Sequence, residues 1–192
     1  GYSEGRRMWL NIRFLDANGN LVAERGGYDL DAAELHEKDT KVYKKTMGIT
    51  AEVAKLANLP AGESTHLALN NEVLFDNRIP ARGFTNAAYA AFGGAPKGAA
   101  YEDGQFWDDT SFEIPDGAVE AVATLYFQTS TREYMEFLRD TNVTDDRGQI
   151  AYDLWVSNGK SAPFAMDMMS VSLVASVPGD LNGDGFVTGA DV

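Results

Sequence analysis

The sequence predicts an all-β fold, an antiparallel β-sandwich with two short helices, and three observations carry that reading. Apolar and polar residues alternate with a period of two through several segments. Polar, Gly-rich turns separate those segments, and helical spacing is confined to two short stretches. The expected architecture is immunoglobulin-like or jelly-roll-like, with a long ordered loop and a C-terminal calcium loop.

Along the chain, Met8, Leu10, Ile12 and Phe14 alternate with Trp9, Asn11 and Arg13 and read as a strand. The turn Asp16-Ala-Asn18-Gly19-Asn20 predicts a hairpin back through Leu21 to Arg25. Further strands are expected over Lys41–Met47, His66–Phe75, Val119–Gln128, Ala151–Val156 and Met166–Val177. In Val119–Gln128 one face carries Val119, Ala121, Ala123, Leu125 and Phe127, and in the last strand Met169, Val171, Leu173, Ala175 and Val177 share a face. Thr50 to Ala57 has helical spacing behind a Thr cap. Ser130-Thr-Arg-Glu133 reads as a capping box, followed by Tyr134, Phe137 and Leu138 on one helical face. Between about Arg78 and Pro115 lies a Gly/Ala/Pro-rich segment whose aromatics, from Phe84 to Trp107, predict an ordered, packed loop. Val177-Pro178-Gly179 marks the boundary between a sandwich domain (1–177) and a calcium-binding tail (178–192).

Composition narrows the function classes. A chain of 192 residues with 44% apolar content fits one domain with a sizeable core plus an appendage. Its 29 acidic and 16 basic residues give a formal charge of −13, a surface that repels phosphate backbones, so no nucleic-acid partner is expected. No apolar run approaches the ~18 residues of a membrane span. Cysteine is absent, which excludes disulfides, thiolate metal sites and haem attached through C-x-x-C-H within this sequence. The sequence opens on Gly1 with no visible signal peptide, as expected of a processed product, a fragment or the ordered part of a longer protein.

The closing residues carry the sharpest chemistry. Asp180, Asn182, Asp184, Thr188 and Asp191 put side-chain oxygens at loop positions 1, 3, 5, 9 and 12, and Gly185 stands at position 6. Phe186 would add its backbone carbonyl, giving the oxygen shell a calcium ion needs, while the glycine permits the sharp turn. The pattern resembles the first half of a type I dockerin repeat, in which each loop leads into a helix and two units pair to bind a cohesin. The helix and second unit are missing here, so the resemblance implies calcium binding rather than cohesin binding. Acidic, cysteine-free and calcium-dependent together suggest a bacterial exported protein, extracellular or at the cell surface.

Several phrases over roughly residues 1–165 resemble the C-terminal β-rich domain of bacterial multihaem c-type cytochromes. They are Gly1-Tyr-Ser-Glu-Gly-Arg-Arg-Met-Trp9, Leu67-Ala-Leu-Asn70-Asn71 and Asp76-Asn77-Arg78-Ile79-Pro80-Ala-Arg82-Gly83-Phe84, with Leu125-Tyr126-Phe127-Gln128-Thr129 and Glu133-Tyr134-Met-Glu-Phe137-Leu138. In that family the haem-binding motifs lie upstream, so the resemblance implies an exported protein and a haem-bearing segment or chain as a partner. His66 opens the H-x-A-L-N phrase and is the haem-contact candidate, though a structural role for a strand histidine is the default. His36, among Asp31, Glu34, Glu37 and Asp39, reads as a solvated loop residue.

Enzyme signatures are thin: no H-E-x-x-H, G-x-S-x-G, phosphate loop or dinucleotide fingerprint is present, and no catalytic residue is assigned. Glu102/Asp103 and Asp108/Asp109, near Trp107, are the carboxylate pairs a sugar-cleaving site would need, but a polar loop with an anchoring Trp is the preferred reading. Asp16/Asn18/Asn20, Asp29/Asp31 and Asp140–Asp146 are oxygen-rich stretches read as turns before cation sites. Trp9 and Trp155 are expected in the core, on strands. The expected function is a non-enzymatic, exported, calcium-binding module that joins another protein or further copies of itself, self-assembling through calcium into a filament or array. The alternatives are the haem-free domain of a multihaem electron-transfer cytochrome and a carbohydrate-associated module with a dockerin-like tail.

Overall fold

In the computed structural model, which describes residues 5–64 and 68–174, the first alternating segment forms strand β1 (Arg7–Leu15). The Asn-Gly turn returns the chain as β2 (Leu21–Arg25), followed by the small hairpin β3 (Tyr28–Asp29) and β4 (Glu34–Leu35). Next come β5 (Val42–Tyr43), β6 (Lys45–Ile49), helix α1 (Ala51–Ala57), β7 (Gly62–Glu63) and β8 (Glu72–Asp76). A short helix α2 (Asn86–Ala91) interrupts the long loop before β9 (Glu120–Gln128). Helices α3 (Arg132–Thr141) and α4 (Arg147–Ser157) then lead to β10 (Phe164–Ser172). All pairings are antiparallel: a five-stranded sheet in the order β10-β9-β1-β2, with β5 also on β1; a three-stranded sheet β7-β6-β8; and β3-β4.

Several expectations change, beginning with the helices, of which the described residues form four and not two. The segment 41–47 is two strands, because the Lys44 N–H donates to Asn77 Oδ1 (2.9 Å) while Asn77 Nδ2 donates to the Val42 carbonyl (2.8 Å). That side chain replaces a ladder partner and hands the chain from one sheet to the next. Within 66–75, only Glu72–Asp76 of the described residues is a strand. Residues 151–156 are helical, in α4, where i and i+4 spacing brings Ala151 and Trp155 together against Ala33 and Met135. A short apolar run reads equally as strand or helix by periodicity, and packing on α3 decides. Gly148 makes that packing possible, since a Cβ there would collide with the Leu138 carbonyl. Finally, α3 is capped by Thr131, whose Oγ1 accepts from the Tyr134 N–H (3.3 Å), one residue later than the expected box.

Along β1 the main sheet is buried on both faces, with different chemistry. On one face Ile12, Phe14 and Ala121 form an apolar cluster with Leu10, Phe112, Ala118 and Leu173 around it. The other face carries Trp9, fully buried, between the rings of Tyr28 (5.7 Å) and Tyr126 (5.4 Å). Its neighbours on β1 are the buried polar residues Arg7 and Asn11, across from Gln128 and Thr124 on β9. Trp9 Nε1 and Asn11 Nδ2 both donate to the Gly26 carbonyl (3.1 Å each), and Gln128 Nε2 donates to the Tyr28 hydroxyl (2.7 Å). Gly26, at φ 65, sits against the Leu10 carbonyl and Thr40, where a side chain has no room and L-residues have no comfortable backbone. Arg7 donates through Nε to Gln128 Oε1 (2.9 Å) and through Nη1 to Glu37 Oε1 (3.0 Å), and Glu37 Oε2 accepts from Lys44 Nζ (2.8 Å).

Burial opposes ionisation of Glu37, but the hydrogen bond and charge of Lys44 and the charge of Arg7 outweigh it and hold the carboxyl below its usual range. A depressed folded-state value means the stabilisation is present above the ordinary glutamate value of 4.5 and is lost as pH falls from there through the folded value. Urea unfolding of wild type and Glu37→Gln across pH 3 to 7 should show a steeper acid-side loss in wild type; parallel curves would contradict the ion-pair role. Phe14→Ala should cost about 3–5 kcal/mol of unfolding free energy, as for other buried Phe truncations, and is read from the urea midpoint at unchanged slope.

Candidate functional site

Asp180, Asn182, Asp184, Phe186, Thr188 and Asp191 lie outside the described residues, as does His66. Among the described residues no group of three or more His, Asp or Glu is arranged to hold a metal ion. The oxygen-rich stretches are spent on local structure. Asp16 Oδ1 accepts from the Asn18 and Asn20 N–H groups (2.8 Å each) and Oδ2 from Asn20 Nδ2 (3.1 Å). The Asn20 side chain, then its backbone, holds this carboxyl below its usual range, so the segment is an Asx-type hairpin turn. Asp29 Oδ1 caps the turn over Ala32 (2.8 Å). Asp140 pairs with Arg139 (2.6 Å), Asn142 Oδ1 accepts from the Thr144 N–H (3.1 Å), and Asp145 Oδ1 accepts from the Arg147 N–H (3.0 Å) at the start of α4.

The carboxylates around Trp107 are drawn apart. Asp103 Oδ1 accepts from the Asn86 N–H (2.7 Å) and Nδ2 (3.0 Å), and those bonds lower its proton affinity. Asp108 instead pairs with Lys41 (3.0 Å). Tyr43 stands beside it, its phenol pushed up to about 12 by burial and then by the Asp108 charge. Asp103 and Asp108, one from each pair, are thus bound to different parts of the chain. Trp107 is half exposed, edge-on to Phe106 (5.3 Å), over which Arg82 is placed at 4.6 Å. Trp9 and Trp155 are core residues, Trp9 on a strand and Trp155 on α4. His36 is exposed.

A surface feature was legible only in part. Strand β10 is the edge of the main sheet and every one of its nine residues is exposed. Its register with β9 puts Phe164, Met169 and Val171 on the face of the apolar cluster and Met168 on the opposite face. Met169 and Val171 share their face with Leu173, as the alternation predicts, yet Met169 remains 72% exposed and Phe164 and Met168 each 69%. Asp167, at a bulge in the β9 pairing, is the strand's one charged residue. Apart from Asp167 and that bulge, this apolar edge lacks the features by which sheets avoid pairing with another chain. What the sequence did not carry was that nothing among the described residues covers either face.

No helix of the described residues is long and apolar enough to cross a membrane. No family model matches the chain, and a search of curated proteins finds no match. Among solved structures, the chain is similar to a penta-heme cytochrome c552 from Thermochromatium tepidum, at 13% sequence identity and a TM-score of 0.40. That likeness covers 88% of this chain but 30% of the cytochrome, so the chain spans about a third of that protein's length. It is a distant likeness to a multihaem cytochrome.

Proposed function

We propose that this chain is a non-enzymatic, exported β-sandwich module that binds calcium through Asp180, Asn182, Asp184, Phe186, Thr188 and Asp191 and assembles with further copies of itself. The observation that supports assembly is β10. An antiparallel edge that no other described strand pairs, with Met166, Met168, Met169 and Val171 exposed, offers both backbone groups and apolar side chains to a second strand. Self-pairing suits this edge because two antiparallel copies would bring only their Asp167 charges together, a small repulsion in a chain of net charge −13. Joined in this way, two five-stranded sheets become one continuous sheet.

Calcium enters through the spacing of the loop and its place in the sequence. Asp180 follows Ser172, the last residue of β10, by eight positions. An ion bound more tightly by the associated form than by the single chain drives association by linkage. It also reduces the negative charge that opposes the contact.

Light scattering coupled to gel filtration should show association in millimolar calcium that reverses with chelator. Asp180→Ala combined with Asp184→Ala should remove the calcium response. Met168→Lys should abolish association while calcium binding, followed by calorimetry, persists. A monomer at all calcium concentrations would sink the assembly reading, and absence of calorimetric binding would sink the metal reading separately.

A further inference from the structure

We infer that the end of the main sheet's apolar face left open by the described residues is a binding site for a small organic anion with an apolar body, such as an alkyl or aryl carboxylate. The apolar cluster of Ile12, Phe14 and Ala121 covers only one end of that face. At the other end Met8 of β1 and Leu125 and Phe127 of β9 form the floor of a cleft of about 410 Å³, with Ile79 on its wall. Met8 and Phe127 are directly paired across the two strands, so the floor is continuous. The volume lies in the range of small-molecule sites, which combine an apolar lining with a few convergent polar groups.

The polar groups are all of one sign. Arg6, Arg7, Lys44, Lys45 and Arg78 line this cleft, and no carboxylate among the described residues does. The carboxylates nearby are shared: Glu37 serves Arg7 (3.0 Å) and Lys44 (2.8 Å), and Asp76 serves Arg78 (2.6 Å) and Lys45 (3.8 Å). On the same side Tyr43 lines the cleft, and Asp108 beside it is matched by Lys41. The described lining of this cleft therefore carries cations and no carboxylate, in a protein whose formal charge is −13. Such a local reversal of field concentrates anions where the rest of the surface repels them.

The Arg7 side chain is turned to the opposite, polar face of the sheet, where Nε and Nη1 bond Gln128 and Glu37, and Lys44 Nζ is bonded to the same Glu37. The head group is thus expected at the Arg6, Lys45 and Arg78 rim, with the apolar body along Met8, Leu125 and Phe127. A second cleft, of about 380 Å³, shares Arg6, Arg7, Lys44 and Lys45 but also holds Glu37, Glu63 and Glu133. Its mixed charge makes it the poorer anion site.

Decanoate and decanol, titrated by calorimetry into the full chain at low and high salt, test this directly. Decanoate should bind with one-site stoichiometry and weaken as salt rises, and decanol should bind at least tenfold more weakly, since losing one charge-assisted contact is worth about that factor. Lys45→Gln should weaken decanoate about tenfold, and Ile79→Asp, at a half-exposed wall position, should abolish binding without unfolding the chain. Met168→Lys, on the exposed β10 edge, should leave decanoate binding unchanged. Equal affinity for decanol, insensitivity to Lys45→Gln, or loss of binding in Met168→Lys would each overturn the assignment.

Discussion

Everything in this protein is arranged around one strand that is buried on both faces but apolar on only one. β1 places Ile12 and Phe14 into a hydrocarbon cluster and, on alternate residues, Arg7, Trp9 and Asn11 into a dry polar layer. A polar group removed from water costs more than the bond it makes returns unless it is paired, so that layer constrains everything laid over it. The turn at Gly26 must present its carbonyl to Trp9 and Asn11, Tyr28 must meet Gln128, and Glu37 must reach Arg7. The loops from 24 to 40 are therefore as much part of the core as the strands are. The nine-residue register between β1 and β9 brings these partners into line, and a slip of one residue would exchange the two chemistries.

The same asymmetry explains what is left on the surface. Among the described residues, the apolar face is covered at the Phe14 end and open at the Met8 end, and β10 extends it to a bare edge. The molecule thus presents two unfilled apolar surfaces of different character. One is a recess with a cationic rim, suited to a small anion, and the other is an exposed strand with almost no charge, suited to another strand. Both lie on one sheet, but they differ in the residues that would make them fail, so occupancy of one can be separated from occupancy of the other.

The carboxylates show why composition is a poor guide to chemistry in this chain. Asp16, Asp29, Asp103, Asp140 and Asp145 each accept hydrogen bonds from groups close by in the chain or on the adjoining helix, and these bonds shape turns and helix starts. Asp108 and Glu37 balance cations under the sheet. Acidic residues that looked available in sequence are thus committed one at a time, and none of the described stretches gathers them around a common centre.

The sequence by itself determined the strands whose alternation is long and clean. Met8 to Phe14, Leu21 to Arg25 and the Val119 to Gln128 segment fall where the period of two puts them, because a half-buried strand imposes its pattern on every second residue. It also determined helix α1 and the burial of Trp9. Tertiary structure alone decided the rest. Residues 151–156 became helix because Trp155 had a pocket against Ala33 and Met135, the 41–47 run was split by the buried Asn77 side chain, and arginines and lysines were collected around one cleft from two strands and the chain beside them. The physical reason is common to all three. Periodicity records which side of an element is covered, whereas the identity of what covers it, or its absence, depends on segments distant in the chain and leaves no local mark.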